Sequence, residues 1–304
     1  MYQGNKINPS KFHRSQLKFY LILIPLCLVM ILPIIYIVNQ AFKPLDELFR
    51  YPPRFFVRQP TMRNFRDLMT TAAATGVPMS RYLFNSVVVT AISLVLNLVF
   101  VVTSAYSLSK KKFRGRKTLM NINQLALMFV GTAVSIPRYL VITVLGIDNA
   151  ICAHILPALA MPVGLFLVKH FVDQVPDALI EASRIDGAND WVIVRKIIVP
   201  MVKPALATSS ILVFQAVWNA TEASNLYIVD ETLKTFPFYL NSLTAAGFSA
   251  STGVASIAGA GVAAAASLLT FLPNLIIFIF MRRPGRVPGR ARPPRRGRRR
   301  RRRS

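Results

Sequence analysis

Charge is scarce in this chain of 304 residues: Asp, Glu, Lys and Arg make up 16%, and only 12 residues are acidic against 37 basic. So few charges cannot clothe a water-soluble globule of this length. The 53% of hydrophobic residues gather instead in runs near or beyond the roughly 20 residues that cross a bilayer core as a helix. Cysteine is almost lacking. Cys27 and Cys152 each sit in an apolar run, which leaves a disulfide framework unsupported and reads as two buried thiols. No HExxH, CxxC, GxSxG or GxxxxGK[ST] pattern occurs, and the nearest phosphate-loop lookalike, Gly115 to Thr118, lacks the upstream glycine. ATP binding by that device is excluded. His13, His154 and His170 are far apart and read as interface or helix-contact residues rather than metal ligands. No pair of carboxylates lies inside an apolar run, which argues against a proton-relay carrier and against an intramembrane aspartyl protease. Nothing in the chain marks it as an enzyme.

What is present is an all-α, polytopic transmembrane helical bundle. Six spans are expected, at 17–42, 82–108, 118–137, 150–172, 205–227 and 257–281. The first follows basic residues and continues past Tyr36 without a small-residue cleavage site, so it is a retained span rather than a signal peptide. The third is the least regular. Asn121, Asn123 and Gln124 lie early in it, and Pro137-Arg138 is expected to end it, with Tyr139 to Gly146 as an interfacial segment. The sixth opens on Gly259, Gly261 and the small residues Ala263 to Ser267, which suit close helix packing.

Basic residues orient the chain. The connection 109–117, SKKKFRGRK, holds six of them and no acid, which places it in the cytoplasm. Alternation then puts residues 1–16, the polar stretch 176–204 and the C-terminus inside, and the protein in the cell membrane as a multi-pass chain. The loop 43–81 falls outside despite its arginines, as longer loops do. About half of the net charge of +25 belongs to residues 282–304, where thirteen arginines stand without an acid. That tail, rich in Arg, Pro and Gly, cannot bury a core; beside a span it is suited to anionic membrane lipids. Without interleaved aromatics or a recognisable module, specific nucleic-acid binding is not expected.

The polar stretch Pro176 to Pro204 is the chain's most informative feature. Pro176 suits a first helical turn, and Asp177 puts a negative charge at the positive end of a helix dipole. Ala178, Ala182 and Ile185 share one face, flanked by Leu179, with Glu181 and Arg184 off it. Asp186-Gly187 is a turn signal in which glycine takes the positive φ that a side chain resists. A second helix follows from Asn189 to Val199, apolar around Trp191, Val194 and Ile198, with Arg195 and Lys196 as a wet stripe; Pro200 and Pro204 end it. A connector that merely contains a turn is the competing reading.

The order Pro176, Glu181-Ala182-Ser183, Asp186-Gly187-Ala188 and Ile198-Val199-Pro200 resembles the EAA loop of membrane permease subunits of ATP-binding-cassette (ABC) importers. Further matches extend nearly to Ile279. Ala41-Phe42-Lys43-Pro44, Tyr51-Pro52-Pro53, Pro60-Thr61 with Asn64-Phe65, Asn85-Ser86 and Ala105-Tyr106 look like the carbohydrate-importer branch, the MalG-like permeases. So do Ile136-Pro137, Gly146-Ile147, Trp218-Asn219 and Thr235-Phe236-Pro237.

The resemblance implies the type I ABC importer permease fold over 17–281 and a role as half of a translocation pore for a sugar or oligosaccharide. It implies as partners a cytoplasmic ABC ATPase dimer, a second, MalF-like permease subunit and an extracytoplasmic solute-binding protein. The chain itself would carry no cofactor, ATP being bound by the ATPase. Glu181, Ala182, Ser183, Asp186, Gly187, Ala188 and Pro200 would couple to the ATPase. Asn97, Trp218, Asn219 and Asn274 are candidates for the solute path, since sugars are held by stacking and amide hydrogen bonds; interhelical packing accounts for them as well. Ser183 replaces the motif's second alanine, small for small. Residues 282–304 depart from the family's short ends and read as a frameshifted or otherwise non-native terminus. Competing functions are a permease for a non-sugar solute, and a non-transporting scaffold whose basic tail binds lipid.

Overall fold

The computed structural model describes residues 17–71, 76–249 and 254–281; residues 1–16, with His13, and the Arg-rich residues 282–304 lie outside these. Every regular element among the described residues is helical. In chain order they are α1 (Leu17–Phe42), α2 (Leu45–Leu48), α3 (Arg63–Thr71), α4 (Met79–Lys110), α5 (Arg116–Ala126), α6 (Gly131–Val144), α7 (Cys152–Leu159) and α8 (Pro162–Asp173). Then come α9 (Asp177–Ile185), α10 (Asp190–Ile193), a π-helical turn (Val194–Ile198), α11 (Val199–Met201), α12 (Lys203–Trp218) and α13 (Glu222–Leu226), and finally a 3-10 turn (Glu231–Leu233), α14 (Phe236–Ser249) and α15 (Val254–Met281).

Among the described residues three helices are long and apolar enough to cross a membrane: α1, α4 and Gly259–Met281 of α15. Three further spans exist if each of three bent pairs counts as one, namely α5 with α6, α7 with α8, and Asp190–Met201 with Lys203–Leu226. Their bends are 117°, 42° and 86°. The irregular third segment breaks earlier than its proline suggested. The chain turns at Leu127–Val130, and Pro137 lies within α6, which continues to Val144. The thiols also differ from expectation: Cys27 and Cys152 are both exposed on the surface of this chain, because the helix faces that carry them are not covered by it.

The chain divides into two compact units. One takes the chain up to Asn97 together with Met128–Ala160 and Val213–Leu275. In it, buried polar side chains complete the hydrogen bonds of interrupted backbone. Asn64, 3% exposed, donates to Ala41 O in the last turn of α1 and to Lys43 O just past it, both at 2.9 Å, and Gly261 leaves it room, since a Cβ there would stand 2.9 Å from the amide. Asn85 donates to Thr232 O (2.8 Å) and Lys234 O (2.9 Å), and Ser86 accepts from Phe236 N (2.7 Å). Irregular backbone at membrane depth survives only with such partners.

The other unit takes Leu98–Leu127, Met161–Leu212 and the chain from Ile276. Its core joins Val101, Val102, Ala105 and Tyr106 of α4 to Val168 and Val172 of α8 and to Ile180, Ile193, Val194 and Ile198 of the polar stretch. The stretch is therefore seated on its own core along one side.

Candidate functional site

Residues 176–204 form a helix, a tight turn and a second helical run. Pro176 precedes the first turn of α9 with extended backbone (φ −60°, ψ 132°). At the far end Gly187 adopts φ +81°, and two bonds close the helix around it, Gly187 N to Arg184 O (3.0 Å) and Ala188 N to Ser183 O (2.9 Å). This is the Schellman closure, which requires a left-handed residue where glycine stands. Asn189 then caps the next helix, its Oδ1 accepting from Val192 N at 2.9 Å. The second run is not one α-helix. It passes through the π-helical turn before Pro200, which has no N–H for the ladder and crowds the carbonyl a turn behind it. The chain turns at Val202, and Pro204 lies in the first turn of α12 rather than at a stop.

Ile180 is the buried residue of α9, at 4% exposed. The face made by Ala178, Ala182 and Ile185 points away from the core, with Ile185 at 88% exposed and, across the turn, Trp191 at 58%. Glu181, Asp186 and Gly187 are exposed too, and the Glu181 carboxylate has no partner among the described residues. Ser183 returns its hydroxyl to Leu179 O at 2.7 Å. The structure thus brings Glu181, Ala182, Ser183, Asp186, Gly187 and Ala188 together around one exposed turn, while Pro200 sits at the end of the second run.

The hairpin is bound to the end of α4. Lys110 Nζ lies 2.7 Å from Asp177 Oδ1 and also donates to Val175 O (2.6 Å). Lys111 Nζ lies 2.6 Å from Asp190 Oδ2, while the Tyr106 hydroxyl donates to Asp190 Oδ1 at 2.9 Å. The hydrogen bond and charge of Lys110 hold the Asp177 carboxyl below its ordinary value of 3.8. Because the folded value is the lower one, the bridge is present above the ordinary value and is lost only as pH falls through the depressed one. Sequence reading used these lysines only for orientation. Their role as ligands of the hairpin was missed, since nothing local links residues 110 and 177.

Of the solute-path candidates, two meet and two are otherwise engaged. Asn274 Nδ2 donates to Asn219 Oδ1 at 3.2 Å beside an open recess of about 370 Å³ that also takes in Leu240, Asn241, Ser267 and Thr270. Trp218 is 4% exposed, stacks on Phe214 with ring centroids 5.7 Å apart, and donates its indole N–H to Thr270 O, near Pro273 where the α15 ladder is interrupted. Asn97 is fully buried and donates to Ala158 O (3.1 Å) and Leu159 O (3.0 Å), the carbonyls exposed by the break between α7 and α8. His154 is likewise structural, its Nε2 lying 3.2 Å from Leu233 O, and His170 packs edge-on against Phe166.

Long apolar helices, bent spans and one exposed helical hairpin define a polytopic α-helical membrane protein. The chain belongs to the family of binding-protein-dependent transport system inner membrane components, whose profile matches residues 101–284. It is thus a permease subunit of an inner-membrane transporter, not an enzyme. It is 28% identical over 271 residues to the inner membrane ABC transporter permease protein YcjP of Escherichia coli (strain K12), covering 88% of this chain and 92% of that one. With the polygalacturonan/rhamnogalacturonan transport system permease protein YtcP of Bacillus subtilis (strain 168) it shares 30% identity over 211 residues, 69% of this chain and 71% of that one. Among solved structures it superposes on a chain of a bacterial ABC transporter involved in the import of the acidic polysaccharide alginate. The TM-score is 0.74 at 21% identity, over 90% of this chain and 98% of that one, which shows a common fold.

Proposed function

We propose that this chain is one half of the translocation pore of an ABC importer for a sugar or oligosaccharide, worked from the cytoplasm by a separate ATPase dimer. The observation that carries the reading is the 176–204 hairpin, whose inner face is seated on a core while Glu181, Ala182, Ile185 and the Gly187 turn are left exposed and uncovered by any of the described residues. A chain with no phosphate loop must receive its energy through such a surface. A second permease subunit, MalF-like, completes the pore, and a solute-binding protein delivers the solute from outside. The permease domain is residues 17–281, between a cytoplasmic segment 1–16 and the Arg-rich residues 282–304, both termini facing the cytoplasm.

The sugar assignment draws on the polysaccharide named for YtcP and on the amide-lined recess at Asn219 and Asn274, whose chemistry suits hydroxyl-rich solutes. Coupling is tested at Gly187. A side chain at φ +81° costs roughly 1–2 kcal/mol in the left-handed region, and no neighbouring atom lies within 4 Å of a Cβ there, so the fold tolerates it while the turn shifts. Gly187→Leu is expected to reach the membrane at the parental level, to lose its ATPase on purification and to abolish uptake. Parental uptake by this variant overturns the coupling assignment.

A further inference from the structure

Three carboxylates around the hairpin are all taken up by the last turns of α4. Ser109 donates to Asp173 Oδ1 (2.6 Å) where α8 ends, Lys110 pairs with Asp177 at the first residue of α9, and Lys111 pairs with Asp190 at the first residue of α10. Both oxygens of Asp190 are used, one by Lys111 and the other by Tyr106, and Arg184 of α9 stands 3.6 Å from it, so the two limbs of the hairpin meet on one carboxylate. Tyr106, Ser109 and Lys110 occupy one face of α4 by their spacing of three and four. The apolar core beneath resists separation of hairpin and helix, and the ion pairs at both limbs add charged, directional contacts at its edge. The Lys111 and Asp190 side chains are 37% and 52% exposed, which is more open than a pair needed to hold the core together.

We infer that Lys110 and Lys111 are positioning residues of the coupling step: their pairs with Asp177 and Asp190 make the hairpin and α4 one rigid piece, so that displacement of the hairpin by the ATPase is passed to α4. This rests on the permease reading above. α4 runs without a break from Met79 to Lys110, which makes it a suitable lever. The linkage is distinct from docking. The docking face is Glu181, Ala182 and the turn; of the linkage, Asp177 stands at the end of α9 away from the turn, while Asp190, just past the turn, is held on the α4 side by Lys111 and Tyr106.

The experiment uses the full transporter in liposomes, both permease subunits with the ATPase and the solute-binding protein, comparing Lys111→Gln, Asp190→Asn, the two combined, and Lys111→Arg. In each neutral single variant the ATPase is expected to copurify at the parental level, while ATP hydrolysed per solute imported rises about fivefold or more; the combined variant is no worse than either single one. Lys111→Arg keeps the charge and keeps the parental ratio. Loss of the ATPase from the single variants overturns the inference, because the pair would then serve docking. So do an unchanged ratio, or effects that simply add in the combined variant. A parental complex that imports nothing and holds no ATPase would instead count against the permease reading itself.

Discussion

Gly164 marks a close helix approach inside the unit that carries the hairpin. A Cβ built there stands 2.9 Å from Ser209 Oγ and 3.7 Å from Val101 Cγ2, and Ser209 is fully buried with no hydrogen-bond partner for its hydroxyl among the described residues. Small residues at such a crossing let α8 and α12 pack backbone to backbone, the usual basis of helix association in lipid. Gly164→Leu overfills the site and should cost about 1–3 kcal/mol. In Gly164→Ala/Ser209→Ala a methyl replaces the glycine hydrogen while the unpaired hydroxyl is removed, so this variant should be at least as stable as the parent. Thermal unfolding in detergent decides it, and a Gly164→Leu protein that melts with the parent would show that the crossing is looser than the geometry says. At this scale one turn glycine, Gly187, was legible in the sequence through Asp186-Gly187, whereas Gly146 figured only in a family match and as the end of an interfacial segment. Gly187 and Gly146 both end helices at positive φ, 81° and 63°, each closed by the same pair of backbone bonds. Gly164 was not legible, because its meaning depends on a serine 45 positions away.

Among elements, the breaks matter more than the helices. Apolar runs announced the long helices, and α1 keeps its expected bounds, since a stretch with no charge after Lys18 has one way to satisfy its backbone in lipid. Where the runs bend was harder to read. The break at Leu127–Val130 contains no proline, and Pro137 was absorbed by α6, since proline does not by itself end a membrane helix. The paired motifs Asn64-Phe65 and Asn85-Ser86 pointed to the family from sequence, yet their physical work is done at a distance: Asn64 and Asn85 donate to carbonyls 21 and more positions away, and Ser86 accepts from Phe236 N. Asn97 behaves the same way at the break between α7 and α8, and for that reason its place among solute-path candidates finds no support in its contacts. Asn97→Leu leaves two buried carbonyls without a donor and should cost about 1–3 kcal/mol. Asn97→Asp should be worse, because a carboxylate would face the same two oxygens. The measurement is again the unfolding midpoint, read beside solute affinity of the transporter. A variant that melts normally but no longer imports would return Asn97 to the solute path.

For the whole molecule the proposed orientation follows from six basic residues in 109–117 and has consequences the structure makes easy to measure. Tyr51 is 92% exposed, and Lys112 and Lys196 are exposed as well, so cysteines placed there will meet a reagent wherever the membrane allows. The native thiols number two, Cys27 and Cys152, and both are exposed on this chain, so serine at these positions gives a silent background with little cost in packing. With 43–81 outside and both 109–117 and 176–204 inside, a membrane-impermeant maleimide should label Tyr51→Cys in intact cells, and Lys112→Cys and Lys196→Cys only after permeabilisation. The same pattern constrains the span count, because Lys112 and Lys196 can share a side only if an even number of crossings separates them. The bent pairs α5 with α6 and α7 with α8 supply two when each crosses once. Labelling of Lys196→Cys from outside would mean that one of the pairs re-enters rather than crosses. The pair bent by 117° would be the first to suspect, and the hairpin would then be on the wrong side of the membrane to meet an ATPase.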